Sequence, residues 1–234
     1  MSGPVAVQAH RGSPDPASGI RENTLEAFAR ARALGADGVE LDVRLTADGG
    51  LAVHHDPVIP GVGAVHELAT GDLPPYVPLL AEALRECAGM VVNIEIKNLP
   101  TEPAFDPSDR CAGDVAALVD AAAAAGSVLV SSFWPGALTA VRDAGSGIPT
   151  GLLVIPSSDL GTAVGAAVRL GCAAVHLPVG LVSRSGVAVA HDAGLAVAAW
   201  TVADTATLTS VLGAGVDTIV TDDVTMVRHR LDQG

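Results

Sequence analysis

The chain has 234 residues, 49% hydrophobic and 17% charged, which suits one domain of barrel size with a large core rather than two smaller units. Aromatics make up 3%, so Val, Leu, Ile and Ala must fill the interior, which argues against an aromatic-rich β-sandwich. A formal charge of -13 opposes binding to nucleic acid or to an anionic membrane surface, so a phosphate ligand needs locally placed cations.

In chain order, the start Met1-Ser2-Gly3-Pro4 has no basic segment followed by a long apolar run, and no later stretch is apolar enough to span a bilayer. Neither export nor a membrane span is expected. A first apolar, β-branched run covers Val5–His10, and a helical pattern follows over Asn23–Leu34, where Asn23-Thr24-Leu25-Glu26 resembles a capping box. Strand patterns then recur at Gly38–Thr46, Met90–Lys97, Val128–Phe133, Thr150–Ile155, Ala173–Val179, Ala196–Val202 and Thr218–Asp222. Ala- and Leu-rich helical segments separate them at Leu79–Cys87, Cys111–Ala125, Pro135–Ala144, Leu160–Leu170, Arg184–Ala193 and Ala206–Gly213, with a last one at Val224–Leu231. Gly126, Gly145, Gly171, Gly194 and Gly215 suit helix ends. Strand and helix alternating in this way imply a parallel sheet, and eight repeats imply closure into a single-domain (β/α)8 barrel over residues 1–234. Pro57–Pro78, a short insertion, and Asn98–Arg110 read as loops at strand ends, where barrels assemble active sites. Cys87, Cys111 and Cys172 are odd in number and widely spaced, so reduced thiols and a cytoplasmic setting are expected.

Barrel strands are covered by helices, so a charge inside one is costly unless it points into a functional mouth. Glu40 and Asp42 lie two apart on the second strand, on the face opposite Val39, Leu41 and Val43, and Glu95 and Lys97 repeat that geometry on the third. Three carboxylates converging at strand ends make an oxygen-rich pocket for a hard divalent cation such as Mg²⁺ or Ca²⁺; salt-bridged surface acids are the bland alternative. His10 ends the first strand, and His55 ends the run Leu51–Val53 after a turn at Asp48-Gly49-Gly50. A histidine pair beside such a cluster can act as general acid and base at a phosphorus centre. His54 should point away from His55.

Arg11 and Lys97 are the cations best placed to hold a phosphate, or else salt-bridge partners of the acids. Phe133 and Trp200 end strands four and seven and suit an apolar wall of the mouth or ordinary core. His176, mid-strand, reads first as a hydrogen-bonded core residue. Glu22 reads as support for the site or an exposed helix-entry acid.

With these residues in view, the sequence resembles the glycerophosphodiester phosphodiesterase family. The matching pieces are Ala9-His10-Arg11-Gly12, Glu22-Asn23-Thr24, Gly35 to Val43, Thr46 to Gly49, Val53-His54-His55-Asp56-Pro57, Asn93 to Lys97, Ser131-Ser132-Phe133, Trp200-Thr201-Val202 and Val216 to Asp222. Each is weak alone, but their order and spacing together are specific. The resemblance implies a TIM barrel of the PLC-like phosphodiesterase type and metal-dependent hydrolysis of a small-molecule glycerophosphodiester to glycerol 3-phosphate and an alcohol, within glycerol and lipid metabolism. By similarity it gives His10 and His55 as the catalytic pair and Glu40, Asp42 and Glu95 as the metal ligands.

A lysophospholipase D or sphingomyelinase D-like enzyme is the nearest rival, but the apolar residues of the two loops are scattered and few. A non-catalytic phosphate- or metal-binding barrel would need no acid–base pair at phosphorus. A metal-dependent aldolase or lyase would find no Schiff-base lysine beyond Lys97. Monomer and homodimer are both compatible with the sequence.

Overall fold

The structure, a computed structural model, describes residues 4–124 and 127–233. Strands β1 (Ala6–Ala9), β2 (Gly38–Leu45), β3 (Leu51–Val53), β4 (Val58–Ile59), β5 (Gly63–Ala64), β6 (Val91–Ile96), β7 (Val128–Ser132), β8 (Thr150–Leu153), β9 (Ala174–Pro178), β10 (Ala196–Val202) and β11 (Thr218–Thr221) follow in order. Between and after them lie α1 (Leu25–Ala33), α2 (Leu80–Glu86), α3 (Arg110–Ala121), α4 (Pro135–Asp143), α5 (Leu160–Arg169), α6 (Arg184–Asp192), α7 (Thr205–Ala214) and α8 (Val224–Asp232). Parallel pairing runs β1-β2-β6-β7-β8-β9-β10-β11 and returns to β1, which closes the expected eight-stranded barrel. The strand and helix pattern in the sequence therefore agrees with the fold to within a residue or two at most ends. The helix expected over Cys111–Ala125 instead ends at Ala121, with Ala122 as its cap and Ala123 turning out of it at φ 52°, and the expected stop at Gly126 lies outside the described residues.

Alternation along β2 and β6 sorts side chains into two environments. Val39, Leu41, Val43, Val92, Ile94 and Ile96 face the helices and are almost completely buried. Each fully buried side chain of this size contributes roughly 1.5–3 kcal/mol. Glu40, Asp42, Asn93 and Glu95 occupy the intervening positions and face the barrel axis. Helix starts are fixed by cap residues in the loops that follow the strands: Asp159, Ser183, Asp204 and Asp223 each accept a backbone N–H from the first turn. Gly35, Gly145, Gly171, Gly194 and Gly215 leave the helices with φ between 69° and 87°, as chain reversal at a helix end requires.

Two local expectations change. The capping box at Asn23 does not form: Thr24 is the cap, accepting from Ala27 N at 3.2 Å, because the Asn23 amide is engaged with Asp42. Pro57–Pro78 is not a plain loop. β3 runs antiparallel to β2, and β4 and β5 form a small hairpin. Ala52, Ile59, Val65 and Val77 give the insertion a buried cluster of its own, and Asp48 clasps Thr70 through both carboxylate oxygens. Loop 98–109 is tied down as well, by paired bonds between Asn98 and Asp106 and by a two-pronged contact of Arg44 with Glu102.

Candidate active site

The inner faces of β2 and β6 bring Glu40, Asp42 and Glu95 together, with one oxygen from each lying within 4.8 Å of the others. All three are buried. Lys97 places its ammonium 3.0 Å from Asp42 Oδ1 and also against Glu95 Oε1. Arg11 donates its backbone N–H to Glu40 Oε2 at 2.9 Å and sets Nε 3.5 Å from Asp42 Oδ2, while its terminal nitrogen contacts both Glu22 oxygens. Arg11 and Lys97 are thus counter-ions inside the carboxylate cluster, and Glu22 supports Arg11 from outside. Asn23 braces the same centre, donating from Nδ2 to Asp42 Oδ2 at 2.8 Å and accepting the Asp42 N–H at 3.1 Å. These paired bonds hold Asn23 at a left-handed φ of 56°, and Arg11, at φ 53°, is held by its N–H to Glu40 and by its carbonyl, which accepts from Asn23 N, conformations costing of order 1–3 kcal/mol each.

The cluster carries more negative charge than its cations satisfy. Burial, then the adjacent Asp42 carboxylate, push Glu40 up to about 8, and burial raises Glu95 in spite of Lys97. Burial also works against the Asp42 anion, but Lys97, His55, Arg11 and Asn23 together hold it below the usual carboxylate range. Glu40 Oε1 is buried with no hydrogen-bond partner, and Asp42 Oδ1 and Glu95 Oε1 meet Lys97 outside hydrogen-bonding geometry. Three oxygen donors so arranged fit a hard divalent cation, which would satisfy the orphaned oxygens and relieve the repulsion.

Two histidines border the cluster, and each is held by an aspartate. His10 bonds Asp222 Oδ1 through Nδ1 at 2.7 Å, with Nε2 3.9 Å from Glu40 Oε2. His55 bonds Asp56 Oδ1 through Nδ1 at 2.7 Å, and its carbonyl accepts from the buried Arg44 at 2.7 Å. In both rings the aspartate engages Nδ1 and so fixes the orientation of Nε2. Burial pulls the His10 ring down, but the Asp222 bond and the Glu40 charge outweigh it, so its pKa stands above the usual value. Burial prevails at His55, aided by Lys97 and Arg11, and its pKa stands below.

One cavity of about 240 Å³ collects His10, Arg11, Glu40, His55, Glu95, Lys97, Phe133 and Trp200, with Asp42 beneath it. Phe133 and Trp200 meet edge to face at 5.7 Å and form an apolar wall. The floor is polar: Asn93 Oδ1 and Ser131 Oγ are buried without partners, and His176 lies beside them, 3% exposed. His176 is therefore a core residue and a lining residue at once, with burial alone lowering its pKa to about 4.

The sequence matches the glycerophosphoryl diester phosphodiesterase family over residues 10–226. The chain belongs to that family. A glycerophosphodiester phosphodiesterase of Bacillus altitudinis is 38% identical over 113 residues, covering 39% of this chain and 45% of that protein. One from Caldanaerobacter subterraneus is 55% identical over 53 residues, 23% of this chain and 21% of the relative. The matched segments thus span less than half of these curated relatives. Among solved structures, a glycerophosphodiester phosphodiesterase of Parabacteroides distasonis superposes with TM-score 0.86 at 22% identity, over 100% of this chain and 99% of that one. A phosphodiesterase of Oleispira antarctica in complex with the product sn-glycerol-3-phosphate gives TM-score 0.83 at 22% identity, covering 97% and 96%. At these identities the structural likeness is one of fold.

Within this glycerophosphoryl diester phosphodiesterase barrel, reading the sequence for charges inside strands missed five supporting residues. Asn23, Asp56 and Asp222 lay inside the motifs that carry the resemblance, yet nothing in their spacing gave them partners. Asn93 shares the inward phase of Glu95 on β6, and Ser131 is the register partner of Glu95 on β7, so strand alternation was the signal for them.

Proposed function

We propose that the protein hydrolyses glycerophosphodiesters to glycerol 3-phosphate and an alcohol, with a divalent cation, Mg²⁺ or Ca²⁺, held by Glu40, Asp42 and Glu95. The observation that carries this reading is the pair of histidine–aspartate contacts, His10 with Asp222 and His55 with Asp56, at the edge of the buried carboxylate cluster. A phosphate- or metal-binding barrel has no use for two imidazoles poised in this way.

His10 and His55 act as the acid–base pair: one Nε2 takes the proton of the attacking hydroxyl while the other gives a proton to the departing alcohol oxygen. If the glycerol hydroxyl next to the phosphate attacks first, a cyclic phosphate forms, and water opens it with the two histidines exchanging roles. When bound, the cation supplies charge neutralisation at the nonbridging oxygens and acidifies the nucleophile. Arg11 and Lys97 hold the phosphoryl group beside it. Phe133 and Trp200 cover the glycerol unit and exclude water from the reacting centre.

Purified protein incubated with glycerophosphoglycerol, glycerophosphocholine and lysophosphatidylcholine, with Mg²⁺, Ca²⁺ or chelator, should release glycerol 3-phosphate from the deacylated diesters only when metal is present. Failure of every diester with either metal would overturn the reading. Faster turnover of lysophosphatidylcholine would move the substrate class to lysophospholipids.

A further inference from the structure

A second groove of about 790 Å³ opens beside the central cavity, and His55 lines both. One wall is the segment after β1, with Ile20, Arg21 and Glu22, and the other is the end of β3 and the insertion, with His54 and Tyr76. The two walls meet where the Arg21 guanidinium stacks on the Tyr76 ring, 4.2 Å from its centroid. Both partners are anchored: the Arg21 carbonyl accepts from Thr24 Oγ1 at 2.8 Å, and Tyr76 packs on the buried cluster of Ile59, Val65 and Val77.

We propose that this groove is the alcohol subsite and that Arg21, held on Tyr76, makes it favour hydroxyl-rich, uncharged or anionic alcohols over quaternary ammonium alcohols. The inference rests on the hydrolase reading above. A diester whose glycerol phosphate fills the small cavity under Phe133 and Trp200 can lay its other arm in the groove, and the junction of the two spaces is the general acid–base residue His55, whereas a further cavity of about 280 Å³ meets the centre at Lys97, away from both histidines. That junction is where the bond to the alcohol oxygen has to break.

Charge then decides which alcohol fits. Quaternary ammonium groups are recognised by open aromatic faces and nearby anions. Here the face of Tyr76 is covered by a cation, and the only carboxylate among the residues lining the groove, Glu22, is engaged by Arg11. Among the described residues no carboxylate pairs with the Arg21 guanidinium, which keeps its fork of donors for hydroxyl or anionic oxygens.

The test compares kcat/KM for glycerophosphoglycerol and glycerophosphoinositol with that for glycerophosphocholine in the wild type, Arg21→Gln and Arg21→Lys. The wild type should prefer the polyol diesters. Arg21→Gln should lower the polyol-to-choline ratio about fivefold, mostly through KM, as expected for one partly exposed charge. Arg21→Lys should restore most of the ratio. A wild type that prefers the choline diester, a ratio unmoved by Arg21→Gln, or no recovery with lysine would each overturn the proposal while leaving the hydrolase reading intact. No turnover of any diester would instead remove the reading on which the proposal stands.

Discussion

The stretch from β1 to β6 and the stretch from β7 to β11 contribute opposite things to one cavity. The first supplies His10, Arg11, Glu40, Asp42, Glu95 and Lys97, each within hydrogen-bonding or ion-pair reach of another of them, and His55, which Asp56 holds at the edge of the cluster. The second supplies Ser131, Phe133, Leu153, His176, Trp200 and Val220, which carry no formal charge at neutral pH, and only Asp222 returns an acid to the mouth. The difference teaches why the site tolerates its own charge. A low-dielectric wall on one side strengthens every electrostatic interaction on the other, at the cost of desolvating the carboxylates. Substitutions in the first stretch should therefore act on chemistry and those in the second on the environment.

The sharpest break is at the histidines. His10→Ala and His55→Ala should each lower kcat by at least about 100-fold with the far-UV circular dichroism unchanged, since a positioned general acid or base contributes about 10²–10⁴. A rate near wild type in either variant would take that residue out of the mechanism. Next in size is Glu40→Gln, which keeps the acceptor for the Arg11 N–H but removes a carboxyl that burial and the Asp42 charge keep from ionising as it does in the unfolded chain. Without divalent cation this variant should be more stable than the wild type by up to about 3 kcal/mol in urea unfolding. Adding Mg²⁺ or Ca²⁺ should stabilise the wild type and leave the variant nearly unmoved. A destabilised metal-free variant would mean that Glu40 is a structural ion-pair partner rather than a ligand in waiting.

The same contrast explains what was legible in the sequence. Val39-Glu40-Leu41-Asp42-Val43 writes the outer core and the inner charge in one alternating line, so the barrel and its carboxylates could be read together. The braces could not. Asp222 reaches His10 across 212 positions only because closure sets Ala9 against Thr221 in neighbouring strands. Asn23 serves Asp42 only through a left-handed backbone that its residue type permits but does not announce. In the insertion, strands of two residues are too short to leave a period, and their packing depends on Ala52 from β3.

The last consequence lies in the uncharged stretch. His176 on β9 is held neutral by burial, its pKa lowered from 6.5 to about 4, and a Cβ at Gly151 would come within 2.5 Å of its Nε2, so β8 leaves little space around the ring. Above pH 6.5 the ring is neutral in both folded and unfolded chains, and the folded state carries no penalty from it. As pH falls below 6.5, the unfolded chain takes a proton that the folded chain refuses until about 4, so stability is lost across that window. Integrated to pH 4.5, the loss is about 2 kcal/mol. His176→Asn removes the titration, so between pH 7 and pH 4.5 the wild type should lose about 2 kcal/mol more than the variant in urea unfolding. The carboxylates of the first stretch titrate in both proteins and cancel in that difference. Equal losses would mean that the folded His176 accepts its proton near the ordinary value, and that the wall opposite the carboxylates is wetter than its burial implies.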